Sequence, residues 1–202
     1  MSLFSLNRKF QVGIIGLGVG QRHAEAFQED KRCEVAALCD LSRARLDEIG
    51  KDYPGAFLTV NGDEVLDNSA IDIVAIASYD NYHFEQTCRA IRNGKHVFVE
   101  KPLCRTAEEL GKIKALINAH AGKLKLGCNL VLRAAPLYQW IKGEIERGAW
   151  GRIYAMDAEY LYGRLSKITD GWRKDVSGYS VIQGGGIHMM DLLLWLSGER
   201  PV

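Results

Sequence analysis

Residues 10–23 read FQVGIIGLGVGQRH, and this stretch decides the fold. A short β-rich run ends in glycine, and a helical pattern follows at once. Gly16, Gly18 and Gly20 crowd the junction. Glycines there let the chain turn tightly and let a pyrophosphate approach the N–H groups and positive end of the next helix. The usual dinucleotide spacing is G-x-G-x-x-G, and Gly16 and Gly18 obey it. The third glycine comes one position early, with Gln21 in the expected place, which predicts a slightly looser approach of helix to strand. Taken alone, the same glycines also suit a plain strand-to-helix turn with no ligand.

Outward from the loop, apolar runs and helical patterns alternate. Strands are expected at FQVGIIG, CEVAALCD (33–40), AFLTV, IDIVAIAS (71–78), KHVFVE (95–100) and KLKLGCN (123–129). Helices are expected between them, one opened by Ser42 as N-cap and one stopped by Gly94. The run at 71–78 is apolar enough to be buried on both faces, as a central parallel strand must be. Such alternation implies right-handed crossovers and a doubly wound parallel sheet of Rossmann type, placed at residues 1–128.

Residues 129–202 differ in texture. PLYQWIKGEIERG is an amphipathic helix, and GRIYAMDAEYLYGRL (151–165) alternates as a long antiparallel strand would. A polar loop leads to a glycine turn and an apolar helix in GGGIHMMDLLLWLSG. One strand and two helices leave unpaired edges, so this half reads as an incomplete α+β domain. The sequence is therefore expected to belong to a longer protein, or to be completed by a partner chain.

Bulk composition narrows the function. The formal net charge is +1, from 26 basic and 25 acidic residues, which gives no reason to expect nucleic acid or a membrane as partner. No run approaches the ~18 apolar residues of a membrane span. Five cysteines without a C-x-x-C pair suit a reducing, cytoplasmic setting, and no ligand spacing suggests a metal.

Ligands of open α/β sheets lie beyond the carboxyl ends of the strands. Asp40 ends the second strand 22 residues after Gly18, where a carboxylate accepts ribose hydroxyls and repels a 2′-phosphate. NAD is thus expected rather than NADP, with Arg43 and Arg45 close enough to matter. Glu100, Lys101 and Pro102 end the fifth strand, where a lysine can donate to a substrate oxygen and proline fixes the turn. A methyltransferase would carry an acidic residue at Ile14, and Tyr138 with Lys142 falls in the wrong place for a short-chain dehydrogenase.

GLGVG, CD, His83, EKP and GGGIHMMD, in that order, resemble the glucose–fructose oxidoreductase and inositol dehydrogenase (Gfo/Idh/MocA) family. The resemblance implies a Rossmann domain and a substrate and oligomerisation domain. It implies NAD-dependent oxidation or reduction of a sugar, cyclitol or polyol by a homo-oligomer. Gly16, Gly18, Val19, Gly20 and Asp40 would bind cofactor, Ser78 and His83 would line its nicotinamide side, and Glu100 with Lys101 would form the signature pair. His188 would be the acid/base group, since an unperturbed imidazole titrates near pH ~6.5. Lys101 would polarise the reacting oxygen and Asp191 would hold a neighbouring hydroxyl. Arg133, Tyr160, Trp172 and Arg173 would wall the substrate pocket.

Two departures stand out. Many members of that family carry an acidic residue four positions before the histidine, where this chain has Gly184, and an asparagine where it has Asp80. The first leaves a second reading open, a catalytically silent NAD-binding or regulatory module of the same fold.

Overall fold

The computed structural model describes residues 8–163, 166–170, 174, 176 and 179–199. The chain divides into two compact units after Cys128.

In the first unit, six strands form one parallel sheet in the order β3-β2-β1-β4-β5-β6. They are β1 (Phe10–Ile15), β2 (Cys33–Cys39), β3 (Phe57–Thr59), β4 (Ile73–Ile76), β5 (His96–Val99) and β6 (Leu126–Cys128). Helices α1 (Gly20–Glu29), α2 (Arg43–Ile49), α3 (Gly62–Asp67), α4 (His83–Arg92) and α5 (Ala107–Ala119) join them. The sheet is covered on both faces. Ala24 of α1 and Leu46 and Ile49 of α2 pack with Val12, Ile14 and Leu38 on one side. Val65 and Leu66 of α3, Cys88 and Ile91 of α4, and Ile113 of α5 pack with Ile15, Val74 and Val97 on the other. Two covered faces explain why β4 reads as an unbroken apolar run.

The chain ends its helices where the residue chemistry dictates. The Ser42 hydroxyl accepts the Arg45 N–H at the start of α2. Thr106 and Glu109 form a reciprocal capping box on α5. Gly94, at φ +73°, turns the chain out of α4. The order 3-2-1-4 places the reversal of strand order, with all strands still parallel, between β1 and β4, so the loops that follow them diverge and leave a crevice at their carboxyl ends.

The second unit holds a 3-10 turn (Val131–Ala134), α6 (Pro136–Glu146), the short α7 (Ser166–Thr169), a π-helical turn (Ile182–Gly186) and α8 (Ile187–Ser197). Pro136 opens α6, and Gly198 at φ +71° stops α8. The antiparallel strand expected at 151–165 does not form: residues 151–163 carry no strand assignment, and Tyr154 is 96% exposed. An alternating sequence becomes a strand only against a neighbour that takes its backbone hydrogen bonds, and no such ladder exists among the described residues of this unit. The glycine run at 184–186 is likewise not a turn ahead of a helix but part of the helical path itself. Helical bonding starts earlier, at Ser180, whose carbonyl accepts the Gly184 N–H at 3.0 Å.

Candidate functional site

Strand register sets the first unit's candidate residues in one row. Ile15 pairs with Cys39 and with Ile76, and Ile76 pairs with Val99. The residues that follow these four are Gly16, Asp40, Ala77 and Glu100. Backbone bonds carry the alignment past the strands: Gly16 N–H donates to Cys39 O at 2.7 Å, Ala77 N–H to Ile15 O at 2.7 Å, and Glu100 N–H to Ile76 O at 2.8 Å. Motifs as far apart in sequence as Gly16 and Glu100 therefore share one edge of the sheet.

The three loop glycines do different things. Gly16 sits at φ +87°, and an added Cβ would overlap the Ala77 carbonyl. Gly20 packs the start of α1 onto the sheet, where a Cβ would lie 3.1 Å from Ile14 Cγ2 and 3.2 Å from Ala77 Cβ. The looser approach expected from Gln21 is not what the chain does, because Gly20 makes the close contact one residue sooner. Gly18 faces open space, with nothing within 4 Å of an added Cβ. Val19 beside it is exposed. This is the cradle a phosphate group would fill against the N-terminus of α1, so the residues fit a dinucleotide.

Asp40 is bound into this loop. Its Oδ2 accepts the Leu17 N–H at 2.7 Å and its Oδ1 accepts the Ser42 N–H at 2.8 Å. Arg45 Nη1 stands 3.5 Å from Oδ2. A carboxylate offers about four acceptor sites, so capacity remains for ribose hydroxyls. Burial, with Asp40 adjacent, pushes the Cys39 thiol up to about 12.

Beyond β4, the Ser78 hydroxyl donates to Gln86 Oε1 at 2.6 Å. His83, expected to line the cofactor, is instead fully buried. Its Nδ1 lies 2.7 Å from Pro102 O and its Nε2 3.1 Å from Ser78 O. The ring therefore ties the loop after β4 to the loop after β5 and presents no surface of its own. Lys101 is half-buried, and the Lys101–Pro102 peptide is cis. Glu100 meets His23 of α1, with Oε1 and Nε2 2.9 Å apart, and His23 also stands edge-on to Phe98 at 5.1 Å.

In the second unit, Arg133 and Asp191, both expected to touch substrate, touch each other: Arg133 Nε donates to Asp191 Oδ2 at 2.8 Å, and Nη2 to Oδ1. Tyr160 lies on Gly185, where a Cβ would meet its Cε1 at 2.6 Å, and stands 5.8 Å from the Tyr162 ring. Tyr179 lies on Gly184 in the same manner, with its hydroxyl in the space a side chain would take. His188 is in the first turn of α8 and half-buried. Trp172 and Arg173 lie outside the described residues.

Sequence reasoning missed His23 and Tyr179. His23 carries a faint signal, three residues past Gly20 on the helical face that turns toward the sheet. Tyr179 carries none, because its placement follows from a missing side chain at Gly184.

Residues 10–127 match the sequence model of Gfo/Idh/MocA, described as an oxidoreductase family with an NAD-binding Rossmann fold. The chain is 27% identical over 208 residues to the D-glucoside 3-dehydrogenase of Escherichia coli K12, covering 95% of this chain and 55% of that protein. It is 27% identical over 192 residues to an inositol 2-dehydrogenase of Acidothermus cellulolyticus, covering 94% and 54%. The crystal structure of scyllo-inositol dehydrogenase from Lactobacillus casei, with NAD(H) and scyllo-inositol bound, superposes with a TM-score of 0.82 at 24% identity, over 96% of this chain and 57% of that one. The chain thus spans little more than half the length of these relatives. Among the described residues, no helix is long and apolar enough to cross a membrane.

Proposed function

Given that the chain belongs to the Gfo/Idh/MocA oxidoreductase family and carries its NAD-binding Rossmann fold, we propose that it serves an NAD-dependent oxidoreductase acting on a hydroxyl or carbonyl of a sugar, cyclitol or related polyol. The observation that carries this reading is the row Gly16, Asp40, Ala77, Glu100, with Lys101 next to it, at the carboxyl edge where such sheets bind ligands.

Gly16, Gly18, Val19 and Gly20 would take the pyrophosphate on the N-terminus of α1, and Asp40 the adenosine ribose. Asp40 favours NAD over NADP, because a 2′-phosphate would meet a carboxylate already committed to the loop, with Arg45 offsetting part of that charge. When bound, NAD supplies the hydride acceptor. The chain's own contribution is orientation and proton handling. The Lys101 ammonium donates to the reacting oxygen, and the His188 imidazole accepts the hydroxyl proton in oxidation and returns it in reduction. Arg133 fixes Asp191, which holds a neighbouring substrate hydroxyl. The five thiols suit a reducing cytoplasm, and the whole protein would act as a homo-oligomer.

A titration with NAD and NADP, followed by a sugar and polyol panel, tests this. Saturable NAD binding is expected, with turnover lost in Lys101→Ala and His188→Ala while NAD binding stays. Failure to bind NAD would overturn the reading. Binding without turnover on the full panel would favour a silent NAD-binding module, the reading that Gly184 leaves open.

A further inference from the structure

The start of the last helical segment has a specific local design. Ser180 is its N-cap: its hydroxyl accepts the Gln183 N–H at 3.2 Å and its carbonyl accepts the Gly184 N–H at 3.0 Å. Tyr179 is then the residue before the cap, and Gly184 is the fourth residue of the helix. Side chains at these two positions commonly pack together and fix how the chain enters a helix. Here the inner partner has no side chain, so the tyrosine closes directly on the backbone. A Cβ at Gly184 would lie 2.7 Å from Tyr179 Cζ and would overlap the hydroxyl. The phenol oxygen therefore occupies the volume that a side chain at position 184 would begin to fill.

Position 184 lies one helical turn before His188. Helical side chains lean toward the N-terminus, over the turn that precedes them. In the rotamers usual for a helix, an imidazole at position 188 leans over the turn on which the Tyr179 hydroxyl is seated. Side chains one turn apart have Cβ atoms about 5–6 Å apart, within reach of an imidazole and a hydroxyl.

We propose that Tyr179 is a positioning residue for His188, its hydroxyl hydrogen-bonding the imidazole from the preceding turn and holding the ring in one orientation. A phenol both donates and accepts, so it can serve the ring in either tautomer. The proposal rests on the reading of His188 as the acid/base group, but its test needs no turnover. Among the described residues, the other charged groups on elements packed with α8 are Asp191 with Arg133 upon it, and on α6 Lys142 with Glu146 and Glu144 with Arg147. None of them is altered in the variants below.

The experiment follows the imidazole resonances of the five histidines by NMR across pH, with His188→Gln assigning the signal. In Tyr179→Phe the ring stays seated and only the hydroxyl is lost. In Gly184→Ala the hydroxyl stays and the new methyl displaces it. Both variants are expected to move the His188 titration midpoint by about half a pH unit or more while the other four histidines keep theirs. A His188 midpoint unchanged in both overturns the proposal. Should one variant disturb all five histidines, as a folding defect would, the other decides. A shift in His188 in a protein that turns over no polyol would keep Tyr179 in place and remove the oxidoreductase reading. Turnover with no shift would do the reverse.

Discussion

His23 Nε2 and Glu100 Oε1 stand 2.9 Å apart, with their side chains only 12% and 14% exposed. One group lies in the helix that follows the glycine loop, the other beside Lys101. The contact ties the start of α1 to the loop that carries Lys101, so the pyrophosphate and lysine seats proposed above would move as one piece.

A double-mutant cycle of His23→Asn and Glu100→Gln is therefore expected to show about 1 kcal/mol of coupling in unfolding free energy, the worth of one enclosed hydrogen bond. Calorimetric titration with NAD should show each single variant weakening affinity and the double variant little worse than either. Strict additivity in both measurements would mean the two side chains act independently.

The loop glycines allow stability and cofactor binding to be separated. Gly16→Ala must place a side chain at φ +87° and against the Ala77 carbonyl, so a loss of about 1–3 kcal/mol is expected in urea unfolding. Gly18→Ala meets nothing within 4 Å, so its unfolding midpoint should stay put while NAD affinity falls. If Gly18→Ala bound NAD as well as the parent chain, the phosphate would lie elsewhere.

His83→Leu leaves the buried carbonyls of Ser78 and Pro102 facing an apolar group. A neutral imidazole donates to only one of the two, so a destabilisation of about 1–3 kcal/mol is expected, the desolvation penalty of one orphaned acceptor. A variant within 0.5 kcal/mol of the parent, on the ~1 kcal/mol scale of such bonds, would show that the ring does not hold the two loops.

Burial raises the Cys39 thiol to about 12, with a sign that can be read in two ways. At pH ~8.5, where a free thiol is about half ionised, Cys39 should resist alkylation in the folded protein. The unfolded chain gives up that proton first, so stability should fall as pH rises above the ordinary thiol range, and should keep falling until the folded thiol ionises. Cys39→Val should flatten the slope by up to ~1.4 kcal/mol per pH unit. Equal slopes would place the alkaline loss on other groups.

The sheet was legible in the sequence because its grammar is local. Apolar runs such as 71–78 mark strands buried on two faces, and Ser42 and Gly94 mark helix ends, each through the chemistry of one residue. The placement of candidate residues was legible where they follow strand ends, as at Gly16, Asp40 and Glu100. Packing was hidden where a residue's partner comes from far along the chain. Nothing near His83 in sequence announces that Pro102 lies against its ring, and nothing near Gln21 says that Gly20 already makes the tight contact. The alternation at 151–165 misled for a related reason, since a strand pattern describes an appetite for a neighbour and not the neighbour itself.

The row at the sheet's carboxyl edge has a consequence for how this chain can tolerate change. Its residues are indexed to strand pairing, each one step past a registered partner, and chain length between them does not enter. Residues added to the loop between α3 and β4 would leave every member of the row where it is. A single deletion inside β5 would instead turn Lys101 to the opposite side of the sheet, because side chains alternate at every step. The edge works as a ruler whose marks are hydrogen bonds, and it tolerates long additions between the marks far better than one missing step along them.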